Sequence, residues 1–595
     1  YNRHAALEIR KRLFELIGDD AHHVRVYTCH ALAMRLVGAS FKDREEENFD
    51  AVLAKAVDLL EGHNLPPEDA DVQRDRLLAG FRWILVDEYQ DIDKGQYALI
   101  SALAGRGRSD EDGRLNLFAV GDDDQNIYAF AGASVEFIRR FEEEYRARKQ
   151  FLVENYRSTR HVIETANRVI ARASSRMKTD AIQIDTARSK SLPGGDWQQM
   201  DTVGQGRVQI LPAGNDAQQQ ALAIYTELRR MMALGLDPLK TAVIARQWKY
   251  LDPMRAALEA AGIPVAMAGE EAPPLWRLRE TQALLAFLGQ RQEASQSRLL
   301  KAGDLQSWLA TQDGTGWWPM LGEAVAAFAE DTQGVGVTRD VFREWLAEWG
   351  RASRQQQTGI LLLTAHRAKG LEFDHVFVLD GEWSTSREGS DAVRRLYYVA
   401  MTRARATLTL ARMDTGNAMI DALGEHPSLV RRLPTPWLPA PGAMGCQYCL
   451  PGLGEIDLGF AGRQDTNSSV HRAIARLRVG DALRYIGDER GIRLEDASGT
   501  TVGRLSKNFK PPPGLCCQDA RVRAILVRRK SDSATEYQAH CRSEIWEVVL
   551  PELIFDAATD QVDVRGWVSC PDDVASGDDL AALPALLPAK GRSRT

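Results

Sequence analysis

Nowhere in its 595 residues does the chain contain Gly-x-x-x-x-Gly-Lys-[Ser/Thr], the loop whose backbone N–H groups and lysine cradle nucleotide phosphates. It has no continuous apolar run of about 18 residues, so no ordinary membrane-spanning helix is expected. It also lacks a charged-then-apolar leader. Cysteine is scarce: seven over this length make no disulfide framework, which fits a reducing cytoplasm. An excess of positive charge is missing as well. With a net charge of −7 there is no global attraction to nucleic acid, so any DNA must be met by a local basic groove. The remaining composition, 44% hydrophobic and 26% charged, is that of an ordinary globular protein. At about 150 residues per domain the length suggests about four units. The chain opens at Tyr1 rather than Met and has no phosphate loop, so we expect it to be the C-terminal part of a longer polypeptide.

What is present begins with Phe81-Arg-Trp-Ile-Leu-Val-Asp-Glu-Tyr-Gln-Asp-Ile-Asp93, an apolar run ending in acids and amides. A short continuous apolar run suits a buried parallel strand, and the C-terminal ends of such strands are where open α/β sheets bind ligands. Adjacent carboxylates there can divide two tasks, one of Asp87 and Glu88 holding a Mg²⁺ and the other positioning or deprotonating an attacking water. An acidic strand-to-loop turn without chemistry is the plainer alternative. A second unit, Leu117-Phe-Ala-Val-Gly-Asp-Asp-Asp-Gln-Asn-Ile-Tyr-Ala-Phe-Ala-Gly-Ala133, repeats the pattern of strand, glycine and polar turn.

The pair resembles motifs II and III of the superfamily 1 DNA helicases of the UvrD/Rep type, and six blocks between residue 1 and about residue 412 follow that family's order. The resemblance implies ATP and Mg²⁺ as cofactors, single-stranded and duplex DNA as partners, and a role for each block. Tyr1 to Leu13 stands for motif Ia, with the Tyr1 ring stacking on a DNA base. Thr28 and His30 hold the DNA backbone, Cys29 replacing an aromatic; a helix cap is the alternative there. Gln125 senses the terminal phosphate and Phe130 stacks on bases, while Ala129 and Ala131 occupy arginine positions, two basic contacts fewer. Glu154-Asn-Tyr-Arg-Ser-Thr159 resembles motif IV: Tyr156 stacks on adenine and Arg157 is an arginine finger. Ser158 as a helix cap is the alternative reading there. In Gly359 to Phe373, motif V, Thr364 and His366 meet DNA phosphates, while Gly370 and Glu372 face the nucleotide, Glu372 at the ribose. Arg394 to Ala404 resembles motif VI, with Arg403 the second finger and Ala392-Val393 in place of an acidic pair.

The implied fold class is α/β: two RecA-like parallel-sheet domains with small helical insertions, followed by a small C-terminal β-rich domain. The expected division is 1–154 for the first RecA-like domain, with an insertion at 39–80, and 155–275 with 357–425 for the second. A short insertion at 276–356 concentrates Trp308, Trp317, Trp318, Trp345 and Trp349, more readily a small core than a base-stacking surface. Residues 426–470 read as a linker, 471–555 as a small β-barrel or sandwich, and 556–595 as a partly disordered tail. Cys446-Gln-Tyr-Cys449 has half of a zinc spacing, which the adjacent Cys516-Cys517 complete poorly. Arg521, Arg523, Arg528, Arg529 and Lys530 give the β domain a basic edge for DNA or a protein partner. The function expected is an ATP-driven helicase or translocase moving 3′ to 5′ on single-stranded DNA in repair or recombination. Two alternatives stand beside it: a nucleic-acid-binding module without turnover, and a translocase without unwinding.

Overall fold

The computed structural model describes residues 12–37, 49–108 (except 64), 114–128, 135–178 (except 175), 183–184, 192–267, 273–294, 302–332 (except 313), 359–383, 390–488 and 491–557, together with 9, 342, 345, 346 and 349. The chain divides into two compact units, Tyr1–Cys449 with Ala524–Arg528 and Leu450–Arg523 with Arg529–Thr595.

Among the described residues the first unit contains a two-stranded and a seven-stranded parallel sheet, with one further short parallel pair. In the smaller, β1 (Trp83–Val86) pairs with β2 (Asn116–Ala119). Helix α1 (Cys29–Val37), α2 (Phe49–Glu61), α3 (Pro67–Leu77) and α4 (Lys94–Ala104) lie around it. Leu53, Ala56, Leu60, Leu99 and Leu103 form their common core. Leu65-Pro-Pro67 separates α2 from α3, and Pro67 opens α3, where its missing N–H costs nothing. The acidic stretch itself sets up α4: the Asp93 side chain accepts from Gln96 N (2.8 Å), and Gly105 ends the helix at φ 73°. Residues 24–28 lead into α1, which Thr28 opens by accepting from Ala31 N (3.2 Å).

The larger sheet has seven strands in the order β11-β5-β10-β9-β6-β8-β7. They are β5 (Val208–Pro212), β6 (Thr241–Ala245), β7 (Val265–Met267), β8 (Ile360–Thr364), β9 (Phe373–Val378), β10 (Ala404–Arg412) and β11 (Leu429–Arg431), every neighbouring pair parallel. Alternate residues enter two separate cores, Ala242 and Ile244 on one side, Val243 and Ala245 on the other. Burial on both faces is why the centres of β6 and β8, Ala242–Ala245 and Ile360–Leu363, are continuous apolar runs. Helix α5 (Val135–Tyr145) precedes the short strands β3 (Glu154–Asn155) and β4 (Gln183–Ile184), which pair with each other. Helix α6 (Arg160–Ile170) and a later helix, Ser390–Met401, contribute to the first of the two cores. Residues 426–449, expected as linker, are laid on this unit: β11 is the sheet edge and Arg432 reaches Glu227 (3.1 Å).

In the short insertion, Phe287 stacks on Trp308 and Trp345 on Trp349. Trp317 and Trp349 are buried, so ring burial rather than display accounts for these tryptophans. The second unit has an antiparallel meander of Arg484–Asp488, Gly491–Glu495 and Thr501–Arg504. Cys516–Arg529 and Ile545–Asp556, 14 and 12 residues long, neighbour each other in a further sheet, longer than the short strands expected. Trp546 is packed over Gly462, where a Cβ would come within 2.7 Å of the indole. On the expected basic edge, Arg521 meets Glu552 at 3.0 Å and Lys530 meets Glu544 at 3.4 Å, so the edge is partly neutralised. No helix among the described residues is long and apolar enough to cross a membrane.

Candidate functional site

β1 delivers its acids through a strained turn. Glu88 sits at φ 54°, ψ 42°, a left-handed conformation that a residue with a Cβ adopts at a cost, and Glu88 N donates to Asp87 Oδ1 (3.0 Å). Desolvation first, then the like charge of Glu88, raises the Asp87 carboxyl above its ordinary range. Such a pair is the donor chemistry a divalent cation relieves. Buried Gln90 then ties the two turns together: its Nε2 donates to Glu88 Oε2 (2.5 Å), and its Oε1 accepts from Asp122 N (2.9 Å). Gly121 permits this approach, because a Cβ there would lie 2.6 Å from Gln90 Oε1.

The second turn positions Gln125 between two partners. Its Nε2 donates to Asp122 Oδ2 (2.9 Å), and its Oε1 accepts from Arg403 Nη2 (3.3 Å). Arg403 is itself buried immediately before β10, and its guanidinium donates to Val399 O (2.9 Å), Leu371 O (3.1 Å) and Thr402 Oγ1 (3.2 Å). Burial, and then the nearby charge of Arg157, lowers it to about 10, which leaves it charged at neutral pH. Thus an arginine on the seven-stranded sheet touches the amide that follows the two-stranded one.

A residue the sequence reading passed over completes this meeting. Lys369 donates from Nζ to buried Asp91 and to Gln125 O (2.8 Å), and lies 3.7 Å from Glu88 Oε2. Burial raises Asp91 to about 6, opposed by Lys369. The available signal was its place between His366 and Glu372, directly before Gly370, whose φ of 77° turns the chain towards β9.

Arg157 stands on an Asx turn, its N–H and that of Ser158 donating to Asn155 Oδ1 (2.9 and 2.8 Å). Ser158 caps no helix; its hydroxyl donates to Ala404 O (2.7 Å), which fastens the turn to β10. Arg157 Nε pairs with Glu372 Oε2 (2.6 Å), and Arg405 lies 3.5 Å from Glu372 Oε1. A cleft of about 450 Å³ opens beside Arg157, Arg405 and Asp374. Tyr156 is exposed, its hydroxyl donating to Glu154 Oε2 (2.6 Å).

The expected DNA contacts are less closely gathered. Thr28 Oγ1 accepts from Ala31 N (3.2 Å) at the start of α1, and His30 lies in the first turn of that helix. Thr364 ends β8, and His366 O accepts from the Tyr128 hydroxyl (3.2 Å), so motif V also touches the turn carrying Gln125. Tyr1 and Phe130 lie outside the described residues. The carboxylates of Asp122, Asp123 and Asp124 are the group close enough to share an ion among the described residues. Arg176 pairs with Asp124 and Lys178 with Asp122 and Asp124, so two of the three carboxylates already have cationic partners.

Comparison with known proteins agrees in order and extent. Residues 40–146 match the UvrD/REP helicase N-terminal domain, and residues 151–303 and 359–411 match two descriptions of the UvrD-like helicase C-terminal domain. The chain is 31% identical over 361 residues to the ATP-dependent DNA helicase UvrD2 of Mycobacterium tuberculosis, a match covering 56% of this chain and 47% of that protein. It is 26% identical over 416 residues to the putative ATP-dependent DNA helicase YjcD of Bacillus subtilis, covering 56% and 51%. With the ATP-dependent DNA helicase UvrD1 of M. tuberculosis it shares 27% over 566 residues, covering 77% and 71%. The chain therefore spans about half the length of the first two relatives.

Proposed function

Because the chain belongs to the UvrD/Rep-type superfamily 1 helicases, we propose that it carries the water-activating and charge-stabilising half of an ATP-driven motor on DNA. The observation that supports this reading is the contact between Gln125 and Arg403, with Lys369 held between Asp91 and Gln125 beside it. Residues far apart in sequence and borne by two sheets converge on one point.

In this reading Glu88 takes a proton from the attacking water, and Gln125 orients the site around the terminal phosphate. Arg157 and Arg403 meet the charge that develops on the transferring phosphoryl group. Asp87 would hold Mg²⁺, which when bound neutralises phosphate charge. Arg157 must leave Glu372 to reach a nucleotide, which frees Glu372 for the ribose, while the exposed Tyr156 ring would stack on the base. Closing and opening of the two sheets about this point would move DNA held by Tyr1, Thr28, His30, Phe130, Thr364 and His366. Travel from 3′ to 5′, duplex unwinding and a place in repair or recombination are the finer parts of the proposal.

The test is turnover and strand displacement by a polypeptide that joins a P-loop segment to these residues. We expect ATP hydrolysis stimulated by single-stranded DNA and displacement of a strand from duplexes with a 3′ tail. Turnover without displacement would favour a translocase, and neither activity would leave a DNA-binding module.

A further inference from the structure

Arg176-Met-Lys178 follows α6 in a stretch that reads as a polar connection, yet it is fastened to the turn carrying Gln125 by every available group. Arg176 Nε and Nη2 bind Asp124 Oδ1 and Oδ2 (2.8 and 2.6 Å), a bidentate pair on a fully buried carboxylate. Met177 N donates to Asp123 Oδ2 (2.8 Å). Lys178 Nζ donates to Asp122 Oδ1 (2.7 Å) and lies 3.3 Å from Asp124 Oδ2. The second oxygen of Asp122 is the one that accepts from Gln125, whose carbonyl oxygen accepts from Arg403. One hydrogen-bonded line therefore runs Lys178, Asp122, Gln125, Arg403. Its polarity admits a single orientation of the amide, since a flipped Gln125 would face an acceptor with an acceptor and a donor with a donor.

We propose that Arg176 and Lys178 are positioning residues that clasp the Asp122–Gln125 turn and fix the Gln125 amide towards Arg403. The clasp comes from the segment that follows α6. It rests on the reading of Gln125 as the amide at the terminal phosphate.

Two measurements test it separately. In the 595-residue chain, hydrogen exchange at the amides of Asp124 and Gln125 should speed up roughly tenfold in Lys178→Met, and return towards the parent rate in Lys178→Arg. Unchanged exchange in Lys178→Met would overturn the clasp without reference to any activity. Where a P-loop segment is joined to the chain, Lys178→Met should lower kcat roughly tenfold while KM for ATP moves by less than about twofold, with Lys178→Arg restoring most of the loss. A kcat equal to the parent's would overturn the positioning role. A parent without DNA-stimulated turnover would contradict the motor reading instead, and the exchange result would still decide the clasp.

Discussion

β6 sends Ala242 and Ile244 into one core and Val243 and Ala245 into another, whereas β1 only half-buries its alternate residues, Ile84 and Val86. Trp83 and Leu85 of β1, with Phe118 and Val120 on and beside β2, are 65%, 71%, 57% and 43% exposed. Both strands have the composition of doubly buried parallel strands, but only the larger sheet has partners on both faces. The two sheets also divide the chemistry. In the proposed motor the smaller would carry the groups for water and metal, Asp87, Glu88 and Gln125, whereas Arg403 leads into β10 of the larger and Arg157 follows β3, on a turn that Ser158 fastens to β10. Half-built packing therefore falls on the half of the site that needs the most exact placement.

The largest expected effect follows from that inequality. The 595 residues supply no phosphate cradle, and positioning is most of phosphoryl-transfer catalysis, so they should show no DNA-stimulated ATPase above background. Joining a P-loop segment should restore it; turnover by the 595 residues alone would show that the smaller sheet is sufficient as it stands. Next, in the active polypeptide, Arg157→Ala and Arg403→Ala should each lower turnover on the order of 10³-fold. They should differ in stability: Arg403→Ala orphans buried carbonyl groups and should cost on the order of 3 kcal/mol, while half-exposed Arg157 should cost less than about 1 kcal/mol. Equal urea midpoints for the two variants would remove that contrast.

The sheets should also answer pH with opposite signs. His375, buried against Trp197 in the larger sheet, is lowered by burial to about 4 from an unfolded value near 6.5. The unfolded chain binds the extra proton in that window, so its contribution of about 3 kcal/mol is lost as pH falls from 6.5 towards 4. Asp91 is raised to about 6 from 3.8, so the folded state holds the extra proton and stability at this site declines as pH rises from 4 to 6. Urea midpoints against pH for His375→Gln and Asp91→Asn should flatten these two slopes separately; a slope of the same sign at both sites would refute the assignment. The smallest effect is at the bare face: Leu85→Lys with Phe118→Thr should change stability by less than about 0.5 kcal/mol while reducing self-association in light scattering. A large loss of stability would mean that this face is covered.

Much of this was legible in the sequence where one residue type has one physical use. The parallel α/β organisation followed from apolar runs that end in polar turns, while the roles of Glu88, Arg157 and Arg403 rest on the resemblance and are what the turnover measurements test. Lys369 was not legible, because a lysine next to a glycine has many uses until Asp91 is seen to be buried beside it. Arg176 and Lys178 were hidden by a polar stretch that read as flexible; their partners are more than fifty positions away in sequence. The role of Ser158 was misjudged between two local options when its partner was the distant Ala404.

The central claim is that Glu88 is the group that takes the proton from water at a site shared by the two sheets. Its most direct test is DNA-stimulated ATP turnover by the P-loop-bearing polypeptide, parent against Glu88→Gln, with nucleotide binding measured alongside. The amide keeps the shape and its bond to Gln90 but cannot accept a proton, so turnover should fall to background while ATP still binds. Parental turnover in Glu88→Gln would contradict the account.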